Sequence, residues 1–162
     1  MKKLLIAFTL LACSLAVKAQ LAENNIMNVK ELIELAQEDN LADVQQAVAA
    51  KGYKSRGGRS GIAKCFAKDC TLNGSNLVTA VSNVNTASTV NYTPDDGTIS
   101  VDVFCADNLN ALLEQVKAEG YELTEENGTM QTFRKQGAKP FFNLINYKVG
   151  NTDGHTLMYN LY

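Results

Sequence analysis

A chain of 162 residues carries 15 Lys and Arg, 17 Asp and Glu and a single His, for a formal net charge of −2. It lacks the basic excess of a nucleic-acid binder, and beyond its first residues no apolar run is long enough to span a bilayer. The length suits one compact domain, or two small halves that share a core.

Residues 1–19 read as a leader. Lys2 and Lys3 are its basic start, Leu4 to Ala12 its apolar run, and Val17-Lys18-Ala19 offers small residues at the −3 and −1 positions of a cleavage site before Gln20. A second reading takes Leu10-Leu11-Ala12-Cys13 as a lipoprotein box, with Cys13 carrying the lipid; against it, Leu15, Ala16 and Val17 keep the segment apolar past Cys13. Either way the protein is expected to be exported, to the periplasm or beyond, or to be lipid-anchored in the envelope. The leader holds Lys2, Lys3 and Lys18 and no acid. Removing it takes the 15 basic residues to 12 against 17 acidic ones, a net charge of −5.

After a polar stretch, Asn28 to Glu38 predicts a helix: Asn28 caps it, and Val29, Leu32, Ile33, Leu35 and Ala36 form its buried stripe. A second helix follows over Asp39 to Tyr53, and it recurs. DNLADVQQAVAAKGY at 39–53 and DNLNALLEQVKAEGY at 107–121 match without a gap at Asp, Asn, Leu, Val, Ala, Gly and Tyr. In each copy an Asp or Asn is placed to cap the start. Gly52 and Gly120 stand where a helix ends in a left-handed residue. Tyr53 and Tyr121 open an extended segment.

Each copy then predicts a hairpin. Lys54 to Ser60 turns back through Gly61 to Lys68, and ELTEENG turns back through TMQTFRK, with Asn127-Gly128 as a two-residue turn. The first hairpin is basic (Lys54, Arg56, Arg59) and the second acidic (Glu122, Glu125, Glu126), so the two are candidates to face each other, within one molecule or between two. Residues 73–91 leave strand and helix open, though the β-branched residues of Leu77 to Val84 lean toward strand. Thr98 to Cys105 alternates, with Ile99, Val101, Val103 and Cys105 on one face and Ser100, Asp102 and Phe104 on the other. Phe141 to Val149 predicts a strand, residues 150–154 a turn and His155 to Tyr162 the last strand, with the turns at Asp96-Gly97 and Asp153-Gly154 in equivalent places. The expected fold is α+β: two tandem repeats, residues 20–106 and 107–162, each with a helix and about four antiparallel strands. Together they give three helices on a roughly eight-stranded sheet in one compact domain.

This order and length of elements resembles the secreted β-lactamase inhibitor proteins, over most of the chain beyond the leader. The resemblance implies two repeats joined into one concave eight-stranded sheet whose exposed face grips a partner protein. The chain departs from that family in having no Trp, and its cysteines do not match the family's early disulfides.

Three cysteines remain beyond the leader. One disulfide among Cys65, Cys70 and Cys105 leaves one thiol over, with Cys65–Cys70 and Cys70–Cys105 both open. A lone His155 and no Cys-x-x-Cys pair argue against metal, and no cofactor is expected. The Gly-x-Ser-x-Gly and His-Glu-x-x-His patterns are absent. The expected function is therefore a non-enzymatic binding module for a protein or envelope component, with a small hydrolase or transferase, or a structural envelope protein, as alternatives. Candidate contacts are Lys54, Arg56 and Arg59 of the basic hairpin and the aromatics Phe142, Tyr147 and Tyr159, since aromatic and Arg side chains are frequent interface anchors.

Overall fold

The computed structural model describes residue 21 and residues 23–58 and 64–162. The leader (residues 1–19), the Cys13 alternative and Arg59 lie outside the described residues. Three α-helices are described: α1 (Val29–Ala36), α2 (Leu41–Ala50) and α3 (Ala106–Ala118). The strands are β1 (Lys54–Gly58), β2 (Lys64–Lys68), β3 (Cys70–Leu72), β4 (Val78–Val81), β5 (Ser88–Thr93), β6 (Thr98–Val103), β7 (Glu122–Asn127), β8 (Met130–Arg134), β9 (Phe141–Val149) and β10 (Thr152–Asn160). Eight of them form one antiparallel sheet in the order β1-β2-β5-β6-β10-β9-β8-β7, and β3 and β4 form a separate hairpin. None of the described helices is long and apolar enough to cross a membrane.

Helix starts follow local chemistry. Asn28 accepts from the Glu31 amide at 3.0 Å while Glu31 accepts from the Asn28 amide at 2.8 Å, a reciprocal capping box on α1. Asn40 caps α2 by accepting from the Ala42 amide at 3.0 Å. Gly52 and Gly120 end their helices with φ of 85°, a conformation that would strain any residue with a Cβ. Tyr53 and Tyr121, next in the chain, are both buried in the core. Lys51, at the end of α2, ties that helix to α1 through Glu31 at 2.9 Å.

The helices pack on one face of the sheet. Val29 and Leu32 of α1, Val44 and Val48 of α2, and Leu112 and Val116 of α3 meet Phe66, Val90, Tyr92, Ile99, Val101, Val103, Phe142, Leu157 and Tyr159 in one core. The alternation read from residues 98–103 is the alternation of β6: its odd-numbered residues enter this core. At roughly 25 cal/mol for each Å² of apolar surface removed from water, this face holds most of the fold's stabilisation.

Several boundaries differ from expectation. Strand β6 ends at Val103, and Cys105 becomes the cap residue of α3 without offering a side-chain hydrogen bond. The link from strand to helix is so short that α3 begins before Asp107. Asp107 and Asn108, the two residues expected as alternative caps, both lie inside the first turn. Asn108 is the one drawn into the interior. It is fully buried, where it donates to the Asn85 carbonyl at 2.7 Å and accepts from Asn24 at 3.1 Å. The β9–β10 turn is Gly150-Asn151, closed by the pairing of Val149 with Thr152. Gly150 takes the positive φ of 59° that a tight hairpin needs, so Asp153-Gly154 stays within β10 rather than turning. Asp96-Gly97, by contrast, does turn, with a 3₁₀ stretch ended by Gly97 at φ 56°. The β7–β8 turn is Gly128-Thr129, one residue later than expected, since Asn127 still pairs with Met130. Within residues 73–91 the regular elements are β4 and the start of β5, with turns before and between them and no α-helix.

The β3–β4 hairpin has no counterpart between β8 and β9. It folds onto the face of the sheet that the helices leave bare, where Cys70, Ala67, Ala87 and Phe104 form a second small core with Val78 and Val81 packed against it.

Candidate functional site

The helix-free face carries a cleft of about 710 Å³. Its floor is the middle of the sheet, from Asn91 on β5 through Ser100 and Asp102 on β6 to Thr156 and Met158 on β10; Tyr147 of β9 and the loop from Ser75 to Val78 also line it. The size falls within the range of small-ligand sites.

Strand pairing brings the floor together. Thr89 and Thr156 flank Asp102 from either side, as its register partners on β5 and β10. Both hydroxyls donate to its carboxylate, Thr156 at 2.5 Å and Thr89 to the other oxygen. The Tyr147 hydroxyl lies near enough to act on the same carboxylate. All three are hydroxyls, and among the described residues no cation pairs with the carboxylate. Burial is the largest influence on Asp102 and pushes its pKa above the ordinary carboxylate value, while the Thr156 and Thr89 hydrogen bonds and the Tyr147 hydroxyl pull the other way. Burial likewise raises the Tyr147 phenol, with the Asp102 charge adding to the effect. Lys148 on the cleft wall is engaged by Asp153 at 2.5 Å, in an exposed ion pair.

Glycine makes room for Tyr147. Gly154 is its cross-strand partner, and a Cβ at position 154 would come within 2.6 Å of the Tyr147 ring. The bare backbone lets the ring lie over β10 with its hydroxyl toward Asp102. Phe104 meets the same ring edge-on at a centroid distance of 6.4 Å.

The lip of the cleft is the tip of the β3–β4 hairpin. Asn73 braces it: its Oδ1 accepts from the Ser75 amide at 2.9 Å and the Leu77 amide at 3.0 Å, and its own amide donates to the Leu77 carbonyl at 3.0 Å. Leu77 thereby projects from the tip at 64% exposure, a large apolar side chain at the mouth of a polar floor.

The residues expected from sequence are scattered. Tyr147 lines the cleft. Phe142 and Tyr159 instead fill the helix-packed core, fully buried and 4.8 Å apart between ring centroids, because their positions on β9 and β10 fall on the other face. Lys54 and Arg56 lie exposed on β1, at one edge of the sheet, and the acidic β7 lies at the opposite edge. The two charged hairpins therefore do not face each other within one molecule. Cys65 and Cys70 are buried, Cys105 is half-buried, and all three are free thiols, so neither expected disulfide is formed. Burial pushes the Cys65 thiol up to about 11, with nearby Asp102 reinforcing the shift, which disfavours a nucleophilic thiolate. His155 instead hydrogen-bonds Asn146 at 2.7 Å. Among the described residues no three His, Cys, Asp or Glu side chains group as metal ligands.

Asp102, Thr89 and Thr156 were not singled out from sequence. A signal was present: one acid inside an alternating apolar strand. No family model matches the chain, and no curated protein or solved structure matches it either.

Proposed function

We propose that the protein is an exported, non-enzymatic binding module. It grips a protein or envelope component with the helix-free face of its sheet, and the cleft over Asp102 receives a basic side chain of that partner. The observation that carries this reading is Asp102 itself: a buried carboxylate held by two threonine hydroxyls beside that of Tyr147, with no cation paired to it among the described residues, on the floor of an open cleft. A buried acid without a counter-charge is costly. An incoming ammonium or guanidinium group would restore the balance and make a charge-assisted hydrogen bond in a water-poor site. Leu77 at the mouth supplies an apolar contact, and the Asn73 brace keeps the lip in place before the partner arrives.

The likeness of element order to the secreted β-lactamase inhibitor proteins supports a sheet face that grips. The matched stretches 39–53 and 107–121 support two tandem copies of one unit. So do the equal φ of Gly52 and Gly120, and a sheet whose first four strands mirror its last four about the β6–β10 pair. On this reading neither copy has a sufficient core alone. A chain ending at residue 106 is expected to lack a cooperative thermal transition, and a sharp melt of that fragment would refute the shared core.

The binding reading is tested by affinity capture from a detergent-solubilised envelope extract of the source cells, with the protein and its Asp102→Asn and Tyr147→Phe variants as baits. One saturable partner on the unaltered protein is expected, at least about tenfold weaker on Asp102→Asn, in line with an unpaired buried charge partner. Equal recovery on all three baits would remove the cleft from the reading. The mass of the protein recovered from the same cells distinguishes cleavage before Gln20 from lipid on Cys13.

A further inference from the structure

The open sheet has two edges of opposite charge, and they are complementary. On β1, Lys54 and Arg56 are exposed; on β7 all six residues are exposed, including Glu122, Glu125 and Glu126. We infer that the protein associates head to tail, the β7 edge of one copy pairing with the β1 edge of the next.

The geometry of the sheet permits this without reorientation. Eight strands alternate in direction from β1 to β7, so β1 and β7 of one copy run oppositely. A second copy set beside the first in the same orientation thus meets β7 with an antiparallel β1. The alternation continues, and the helices stay on one side. Pairing within each hairpin fixes which side chains share a face. Lys54 pairs with Ala67, which belongs to the helix-free side; Arg56 stands in a bulge between Ser55 and Gly58, near enough to Cys65 and to Cys70 of the helix-free cluster to act on their charge. Glu125 pairs with Thr132, and Glu122 with Arg134 on the same side, Thr124 being the extra residue of a bulge. An antiparallel junction can therefore set Lys54 opposite Glu125 and Arg56 opposite Glu122, both pairs on the helix-free face.

Charge selects this junction over the alternatives. Two β1 edges would bring Lys54 and Arg56 against their own copies, and two β7 edges would oppose glutamates; like charges directly across strands are destabilising. Charged edge strands ordinarily prevent pairing. Here they block same-edge pairing and leave the mixed one attractive. Leu123 adds an apolar contribution. It is 50% exposed on the helix side of β7, where α2 of the next copy, which packs beside β1, would cover it. A junction of two different patches does not close by two-fold symmetry, so it propagates into chains, or into rings where sheet twist returns the first edge.

The test is sedimentation velocity on the purified protein across concentration, at about 50 mM and about 500 mM salt, where screening differs strongly. The weight-average mass is expected to rise with concentration at the lower salt and to fall toward the monomer at the higher. A Lys54→Glu, Arg56→Glu double variant has two acidic edges, and a Glu122→Lys, Glu125→Lys double variant has two basic ones. Each alone is expected to stay monomeric, with unchanged circular dichroism and melting temperature, since these side chains are exposed. Their equimolar mixture is expected to associate, because each acidic edge then meets a basic one. Wild-type protein that stays monomeric throughout, variants that assemble as the wild type does, or a mixture that stays monomeric would each overturn the inference.

Discussion

Strand β6 serves two faces that differ in chemistry but hardly in burial. Ile99, Val101 and Val103 enter the helix-packed core with no measurable exposure, while Ser100 and Asp102 between them are 4% and 8% exposed on the other side. On the helix side these residues pack in an apolar cluster whose polar contacts, such as the Tyr53 hydroxyl on Ser88 at 2.8 Å, are neutral, and tight packing gives both stability and position. On the helix-free side Asp102 is almost as well hidden from water, yet its neighbours are hydroxyls and a cleft. Low exposure therefore does not identify the core. Partner chemistry does. A face built for stability would put an apolar side chain where Asp102 sits. A buried carboxylate in a cleft is instead a candidate site, and it is the one on which the proposed binding rests.

The contrast is broken most forcefully from the core side. Phe142 is fully buried, meeting Tyr121 edge-on and Tyr159 at a tilt, each with ring centroids 4.8 Å away. Phe142→Ala is expected to cost about 3–5 kcal/mol of stability, from lost burial and the cavity it leaves. Urea titration followed by circular dichroism measures this. Binding to the captured partner is expected to fall only in proportion to the unfolded fraction. A Phe142 variant that stays folded yet loses binding would show that the two faces are not separable in the way described.

How much of this contrast can be read in the chain follows from the range of the interactions. Local ones are legible: Asn28 with Glu31, Asn40 with Ala42, and Gly52 and Gly120 as helix stops lie within a few residues of their partners. The alternation of β6 is legible too, and it separates Val101 from Asp102. Which face the helices cover is not, so Phe142 and Tyr159 could not be sorted from Tyr147 by their type. The site is least legible because it is assembled across the chain. Thr89 is 13 residues from Asp102 and Thr156 is 54, and only the β5-β6-β10 order makes them neighbours. The β3–β4 hairpin presents a similar difficulty: its Asn, Ser and Thr signal a loop, but not that the loop folds over the sheet to form the lip of a cleft.

A smaller effect sharpens the comparison from the cleft side. Gly154→Ala places a methyl group against the Tyr147 ring, where a Cβ would stand 2.6 Å away. The ring must shift, and overpacking of this kind costs about 1–3 kcal/mol. The displaced Tyr147 hydroxyl loses Asp102, so partner binding is expected to drop by more than the stability loss explains. Unchanged affinity in a protein whose melting temperature has fallen would mean that Tyr147 acts only as packing.

The smallest stability effect is expected where the functional effect is largest. Asp102→Asn keeps shape and replaces a charge with an amide, so the change in stability near neutral pH is expected to stay below about 1 kcal/mol, or to be a gain. Its pH dependence distinguishes an acid held for binding from one held for the fold. Burial raises the folded pKa of Asp102 above its unfolded value, so between those two values the folded state binds more protons than the unfolded one. Its contribution is thus fully present below the unfolded carboxylate pKa and is lost as pH rises through the folded value. The asparagine variant has no such term. Urea midpoints measured from about pH 4 to about pH 8 should therefore show the wild type losing ground to Asp102→Asn as pH rises. Saturating partner should reverse that trend, since a basic group in the cleft stabilises the ionised carboxylate. A wild-type advantage that grows with pH in the absence of partner would mean that Asp102 is held ionised by the fold itself and does not await a cation.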